Sequence, residues 1–263
     1  MSRPIGRVLV IGATGSIGRL VVARLRELGD RPRALSRDVD RGRRVLGPDV
    51  DLVAGDLTDP ARLATALQDV AAVVMTHGAP YGSRDYEAID YGAVPAVLDA
   101  LADRSVRVAL MTTIGVTGSG GSSRELLDWK QRGERLLRSR GLPYTIVRPG
   151  WFDAGTGSEQ HVDLRQGDRT EYGPVRREHV AEVLVQALRT PSALGKTVEV
   201  FSTDGAPVTD WGSAFAAATP DQPGALDGAE DRPGVPPDRE PAGVQSDLRR
   251  HGSADQADSR ELS

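Results

Sequence analysis

The stretch Val8–Arg19, V-L-V-I-G-A-T-G-S-I-G-R, puts three glycines at three-residue spacing directly after a short apolar run. A glycine turn that leaves a buried strand exposes backbone N–H groups, which hold a phosphate without any cationic side chain. Gly12 permits a backbone conformation barred to residues with a Cβ, Gly15 lets N–H groups approach a pyrophosphate closely, and Gly18 lets the next helix pack against the strand. That helix, expected over Ser16–Leu28, aims its N-terminal N–H groups and positive dipole end at the same anion. Gly12, Thr14, Gly15, Ser16, Ile17 and Gly18 are accordingly assigned to a dinucleotide-binding turn. The first interval is one residue longer than in G-x-G-x-x-G, so context carries the assignment. Apolar residues precede the turn, Ile17, Leu20, Val21, Ala23, Leu25 and Leu28 follow with helical period, and a second strand arrives before Arg37. A glycine turn without a ligand is the alternative.

The end of that second strand bears on which dinucleotide fits. An acidic residue there accepts from a ribose 2′-hydroxyl, whereas a 2′-phosphate needs a cation. Ser36 and Arg37 occupy the position, and Arg33, Arg41, Arg43 and Arg44 add positive charge nearby. NADP(H) is therefore favoured, while Asp38 keeps NAD(H) possible. Ligands of open parallel sheets bind beyond the carboxyl ends of the strands, so two further strand ends should line the crevice. Gly55-Asp56-Leu57 follows the third strand, where Asp56 or the backbone at Leu57 can meet an adenine amino group, unless Asp56 caps the next helix. Thr76-His77-Gly78-Ala79 follows the fourth, with Thr76 and Gly78 assigned to the cofactor. His77 is tempting as a general acid, but a lone histidine beside a glycine turn is more often a satisfied loop residue.

These residues need a scaffold. Short apolar runs alternating with helical patterns predict parallel strands joined by crossover helices. Strands are expected near Arg7–Ile11, Arg33–Ser36, Val50–Ala54, Ala72–Thr76, Val106–Thr112, Tyr144–Val147 and Thr197–Phe201. Helices are expected at Ser16–Leu28, Pro60–Gln68, Tyr86–Ala102, Ser123–Ser139 and Arg177–Thr190, with a short one near Thr209–Ala218. Pro95 should kink the third helix or mark its true start. The expected fold is α/β, a Rossmann-like doubly wound parallel sheet flanked by helices in a single domain over residues 1–220. Asp221–Ser263 sets ten acidic residues against five arginines among five prolines, which predicts an irregular acidic tail, wrapped on the body or disordered.

A chain of 263 residues with 39% apolar content can bury a sizeable core as one α/β domain. It has no cysteine, so no disulfide framework, thiolate nucleophile or cysteine metal site exists, and the cytoplasm is the default location. No basic stripe with interleaved aromatics is present, which argues against nucleic acid as a partner. No apolar stretch approaches a membrane span or a signal-peptide core.

G-A-T-G-S-I-G, G-D-L-T-D, the strand ending T-T-I-G-V-T, D-W-K with R-G-E-R-L-L, and G-L-P-Y-T-I-V-R-P-G-W-F together resemble the atypical short-chain dehydrogenase/reductase superfamily. The likeness covers about Val8–Pro220 and is closest to its NAD(P)H-binding, NmrA-like and biliverdin-reductase-B-like members. It implies a Rossmann-type fold, bound NADP(H) or NAD(H), and often a small-molecule reductase. In the superfamily's catalytic set a hydroxyl residue ends the fifth strand and a Tyr-x-x-x-Lys pair follows on the next helix. Thr113 or Thr112 takes the hydroxyl position and Lys130 the lysine position, where it would hold the nicotinamide ribose. Leu126 stands where the tyrosine belongs, and a leucine cannot transfer a proton.

Lys130 also stands out internally, because lysine occurs only there and at Lys196 while arginine is used elsewhere. As a solvated residue it would have Glu134 for an i,i+4 partner. The resemblance brings the backbone after Pro149-Gly150 to the nicotinamide carboxamide, with Trp151 and Phe152 walling a substrate pocket or packing as a lid. Tyr81, Tyr86 or Tyr91 is a candidate to replace the missing tyrosine, while Tyr144 reads as core. Two functions follow. The first is an NADPH-dependent reductase of a small carbonyl, quinone or flavin-like acceptor. The second is a non-catalytic, NmrA-like sensor of NADP(H) redox state that acts on a protein partner.

Overall fold

Arg7–Ile11 forms β1, and Val8 to Ile11 are buried on both faces, as expected of a central strand in a parallel sheet. Alternation divides its side chains between two layers. Val8 and Val10 join the core under α1 (Gly18–Glu27) and α6 (Arg177–Arg189). Leu9 and Ile11 join the core under α3 (Pro60–Ala66), α4 (Ala93–Leu101) and α5 (Arg124–Ser139). The structure, a computed structural model, describes residues 4–80, 82–118, 123–152, 155–170 and 172–252.

The remaining elements are β2 (Arg31–Ser36), α2 (Val39–Leu46), β3 (Asp51–Ala54), β4 (Ala72–Met75), β5 (Arg107–Met111), β6 (Tyr144–Pro149), β7 (Trp151–Phe152), β8 (His161–Arg165), β9 (Pro174–Val175), β10 (Lys196–Thr203), α7 (Trp211–Ala216) and α8 (Ala242–His251). The main sheet runs β3-β2-β1-β4-β5-β6-β10-β8. All its pairs are parallel except the edge pair β10 with β8. Strand order reverses between β1 and β4, and a doubly wound sheet opens its ligand crevice at such a switch point. The single α/β domain with a mostly parallel sheet is the architecture read from the sequence.

Several elements escaped that reading. Helix α2 has only Gly42 and Leu46 buried in V-D-R-G-R-R-V-L, so its apolar period is faint, yet Asp38 caps it by accepting from the Arg41 N–H at 2.8 Å. The β6–α6 connection carries β8 and the two-stranded β7–β9 ribbon. Pro95 falls in the first turn of α4, where proline is tolerated, and marks its start. Ahead of it, Glu87–Tyr91 makes a wide turn with the Gly92 N–H on the Glu87 carbonyl at 2.9 Å.

The acidic segment from Asp221 lies along α5, with helix α8 where an irregular tail was expected. Its carboxylates meet arginines spaced on one face of α5. Arg132 Nε is 2.7 Å from Glu240 Oε2, Arg135 Nη1 is 2.6 Å from Glu240 Oε1, and Arg138 Nε is 3.3 Å from Asp221 Oδ2. Fully buried Arg148 of β6 donates to Asp231 at 2.7 and 2.8 Å and to Glu134 at 2.6 and 3.0 Å. Val244 of α8 completes the contact by entering the α4–α5 core.

Candidate functional site

Gly12 leaves β1 at φ +78°, and a Cβ there would stand 2.9 Å from both the carbonyl carbon and oxygen of Thr76. The turn is therefore pressed against the end of β4 as only glycine allows. Gly15 donates its N–H to the Gly12 carbonyl at 2.9 Å and closes the turn, so that donor is committed within the chain. Gly15 and Ser16 are exposed, Thr14 is half-buried, and Ile17 and Gly18 are buried. A Cβ on Gly18 would run into the Gly12 carbonyl and come within 2.7 Å of Ala13 Cα, so Gly18 lets the helix start against the turn itself. Helix α1 begins at Gly18, two residues later than expected, with no side-chain cap and no acid in its first turn. Of its leading N–H groups, that of Arg19 donates to the Gly15 carbonyl at 3.2 Å and those of Leu20 and Val21 to the Ile17 carbonyl at 2.9 and 3.0 Å, so the anion site rests on the turn and the very start of the helix. A backbone cradle closed to side chains and open to an anion fits the pyrophosphate of a dinucleotide.

At the ends of β2 and β3 the polar groups are partly committed. Buried Ser36 donates its hydroxyl to the Asp38 carbonyl at 2.7 Å. Arg33 is bound by Asp51 at 2.7 Å and by the Thr65, Ala66 and Gln68 carbonyls, so it is not a cation for a 2′-phosphate. Arg41, Arg43 and Arg44 lie exposed on α2. Arg37 has a side chain 78% exposed and sits 3.6 Å from Asp56 Oδ2. Asp56 accepts from the Thr58 N–H at 2.9 Å and its hydroxyl at 3.0 Å. That backbone hydrogen bond, helped by Arg37, holds the Asp56 carboxyl below its usual range. The cap of α3 is Asp59, which accepts from the Arg62 N–H at 3.1 Å, and not Asp56. Leu57 is half-buried against the α3–α4 core.

Beyond β4, Thr76 donates its hydroxyl to the Ile11 carbonyl at 2.9 Å and ties the two crevice strands together. His77 is buried with Nε2 3.2 Å from the Asp90 carbonyl, while Nδ1 has no hydrogen-bond partner. Burial, and next the Lys130 charge, push its pKa down to about 4, so it is neutral at physiological pH and unsuited to acid catalysis there. Gly78 lies over a buried ion pair: a Cβ on it would be 3.5 Å from Asp90 Oδ1 and 3.9 Å from Lys130 Nζ. Lys130 Nζ is 2.7 Å from Asp90 Oδ1, with side chains 11% and 1% exposed. Lys130 is therefore neither solvated nor paired with Glu134, whose carboxylate is held by Arg138 and Arg148. The glycine turn, the β4 loop and Lys130 form one contiguous wall.

At the ends of β5 and β6, Thr112 is buried and donates to Glu134 at 2.6 Å, so of the two threonines only half-buried Thr113 keeps its hydroxyl clear of such a bond. The loop after it is pinned by Asp168, which accepts from the N–H groups of Gly115 at 2.5 Å and Thr117 at 2.7 Å. Leu126 lies half-buried one helical turn before Lys130. The Pro149 carbonyl accepts from Ile114 at 3.1 Å, while the N–H groups of Gly150 and Trp151 donate to Val200 at 3.0 Å and Gly173 at 2.8 Å. Those two donors are spent within the chain, and the expected carboxamide contact through them is not available as the backbone stands.

Trp151, Phe152 and Tyr172 are exposed around the β7–β9 ribbon, with the Arg177 guanidinium 4.9 Å from the Phe152 ring centre. A cavity of about 350 Å³ lies beside the ribbon, lined by Thr156, Glu159, Val175, Arg176, Glu178 and Ser202 among others. The tyrosines proposed as proton donors differ in their surroundings. The Tyr91 hydroxyl is bound to Asp247 of α8 at 2.7 Å, and burial raises its pKa, while Tyr81 lies outside the described residues. Tyr86 is half-buried at the start of the wide turn. Tyr144 is core, with its hydroxyl on Asp221 at 2.9 Å. Asp90 was missed in the sequence, although an acid inside the apolar run A-I-D-Y-G-A-V-P-A-V-L was the available signal. Among the described residues no group of acidic and histidine side chains is arranged to hold a metal ion, and no helix is long and apolar enough to cross a membrane.

A family model described as NAD(P)H-binding matches residues 12–191. An uncharacterized chloroplastic protein of Arabidopsis thaliana is 29% identical, over 81% of this chain and 75% of its own length. Sanguinarine reductase of Eschscholzia californica is 26% identical over 74% of this chain and 88% of its own. Among solved structures, a Bacillus halodurans protein provisionally named an NAD-dependent epimerase/dehydratase superposes with a TM-score of 0.70 at 24% identity, covering 80% of this chain and 99% of that one. That superposition speaks for the fold alone.

Proposed function

Because the chain belongs to the NAD(P)H-binding family whose model spans residues 12–191, we propose that it is an NADPH-preferring oxidoreductase of a small carbonyl, quinone or flavin-like acceptor, of the atypical short-chain dehydrogenase/reductase kind. The single observation that carries this reading is the side-chain-free cradle at Gly12–Gly18, continuous with the β4 loop and Lys130. A bound nicotinamide cofactor supplies the hydride. The chain's own residues bind and orient. The α1 N-terminus and the glycine turn receive the pyrophosphate, Arg37 meets a 2′-phosphate at the end of β2, and Lys130 holds the nicotinamide ribose. Thr113 offers a hydroxyl near the acceptor, and the aromatic ribbon with its neighbouring cavity gives a flat acceptor a surface to lie against. That one relative is named sanguinarine reductase supports a reductase reading. The absence of cysteine suits a cytoplasmic location.

Leu126 favours a second reading. With no tyrosine one turn before Lys130, a non-catalytic, NmrA-like sensor would need only different affinities for oxidised and reduced cofactor. The nicotinamide absorbance of NADPH, followed with a panel of quinones, flavins and aldehydes, separates the two. Acceptor-dependent oxidation is expected. Binding without turnover on any acceptor would leave the sensor.

A further inference from the structure

Lysine is a flexible cation on a four-carbon stem, and to serve a ribose it must be held at one place. The superfamily's tyrosine, its usual polar neighbour, is here Leu126. We propose that Asp90 is a positioning residue that fixes Lys130 in the crevice, leaving it two N–H donors for the vicinal hydroxyls of the nicotinamide ribose. The proposal rests on the dinucleotide reading given above.

An ammonium has three donors. Lys130 Nζ lies 2.7 Å from Asp90 Oδ1 as an ion pair, so one side of the ammonium is turned to the carboxylate. Asp90 is itself fixed from several sides. Its Oδ2 accepts from the Ala79 N–H at 3.2 Å, and its backbone carbonyl accepts from His77 Nε2 at 3.2 Å. This bond sets the tautomer of neutral His77, with the proton on Nε2 and Nδ1 left as the acceptor. Both contacts come from the loop that follows β4, so Asp90 links that loop to α5. The wide turn Glu87–Tyr91 sets the side chain's direction, since its extra residue per turn changes the angle at which Asp90 leaves the helix. It is kept in place by Gly92, where a Cβ would meet the Ala88 carbonyl at 2.5 Å. Gly78 then covers the pair with bare backbone, where a Cβ would stand 3.5 Å from Asp90 Oδ1 and 3.9 Å from Lys130 Nζ. A charged pair buried this deeply, away from the acidic segment and its arginines, is costly to keep unless it is used.

The test is a double-mutant cycle on NADPH affinity by calorimetry, with wild type, Asp90→Ala, Lys130→Met and the double variant, and thermal unfolding of each sample. Adenosine 2′,5′-bisphosphate, which lacks the nicotinamide ribose, is titrated in parallel. Lys130→Met is expected to weaken NADPH by about 30-fold and Asp90→Ala by about 10-fold, with the double variant no worse than about 30-fold, because coupled residues are not additive. Asp90→Asn, whose amide oxygen can still accept from Lys130, should lose less than Asp90→Ala, and it replaces that variant in the cycle if the alanine form does not fold. Adenosine 2′,5′-bisphosphate should bind all variants alike. A double variant weakened by the product of the single effects, or equal losses for NADPH and the bisphosphate, would overturn the positioning role. If wild type binds the bisphosphate and NADPH while the cycle is additive, only this proposal fails. If wild type binds neither, the dinucleotide reading fails and this proposal with it.

Discussion

Helix α5 presents buried cations in two directions, and they are satisfied in different ways. Toward the acidic segment, Glu134 accepts from Thr112, Arg138 and Arg148, and Arg148 spreads its guanidinium over Glu134 and Asp231. Toward the crevice, Lys130 meets a single carboxylate, that of Asp90. The first arrangement uses planar, bidentate pairing to close a surface, while the second uses a compact ammonium with donors in reserve. Closure by many mutual bonds marks structure. Reserve capacity beside a glycine cradle marks a binding site.

The sharpest way to break this contrast is to remove the hub of the closed side. Glu134→Ala strands Arg138 and Arg148 without their shared carboxylate and should cost about 3–5 kcal/mol in urea unfolding. A loss below about 1 kcal/mol would show that the arginine network is not what holds the acidic segment. Gly15→Asp probes the open side. Gly15 is exposed and a Cβ there meets only the Gly12 carbonyl, at 3.1 Å, so the fold should tolerate the change. NADPH affinity should nevertheless fall by about 100-fold or more, since a carboxylate faces the pyrophosphate. Retained affinity in a folded variant would remove the turn from the site.

Acid titration separates the two sides by pH. The His77 pKa is depressed from 6.5 to about 4, chiefly by burial, so the unfolded chain binds that proton first. Stability is therefore full above pH 6.5 and falls as pH drops toward about 4, by up to about 3 kcal/mol. Burial alone would raise the Glu134 pKa, but the Arg148 and Arg138 charges overcome it and lower it from 4.5 to about 2. Its contribution is present above pH 4.5 and is lost as pH falls toward about 2. Unfolding free energy of His77→Asn should show a smaller loss in the upper window, which half-buried His179 and buried His251 share because burial lowers their pKa as well, and keep the lower. An unchanged profile would mean that His77 titrates normally. The smallest effect is expected at Arg37→Ala, which should weaken NADPH by about 10-fold and leave NADH unchanged. Equal losses for both would contradict a 2′-phosphate contact.

The crevice was largely legible because its signals are local. V-L-V-I followed by spaced glycines fixes a strand, a turn and a helix within one stretch, and the rarity of lysine drew attention to Lys130. The closed side was hidden because its partners lie far apart in the chain: Arg135 and Glu240 are 105 residues apart, and Arg148 and Asp231 are 83. The arginines at 132, 135 and 138, on one helical face, together with an acidic surplus after residue 220, were the signal for it. Asp90 needed both kinds of information, since an acid in an apolar helix shows its purpose only when the lysine of another helix is placed beside it. Donor use was equally invisible. The hydroxyls of Ser36 and Thr76 and the N–H groups of Gly150 and Trp151 carry the right chemistry for a ligand, yet they are consumed by neighbours that only the folded chain supplies.

The central claim is that the cradle at Gly12–Gly18 and the wall leading to Lys130 bind a nicotinamide dinucleotide. Calorimetric titration of the full chain with NADPH, NADP, NADH and NAD, repeated on Gly15→Asp, tests it most directly. Saturable binding of the wild type to NADPH, tighter than to NADH and lost in Gly15→Asp, is the predicted result. Failure of the folded wild type to bind any of the four, or undiminished binding in Gly15→Asp, would contradict it.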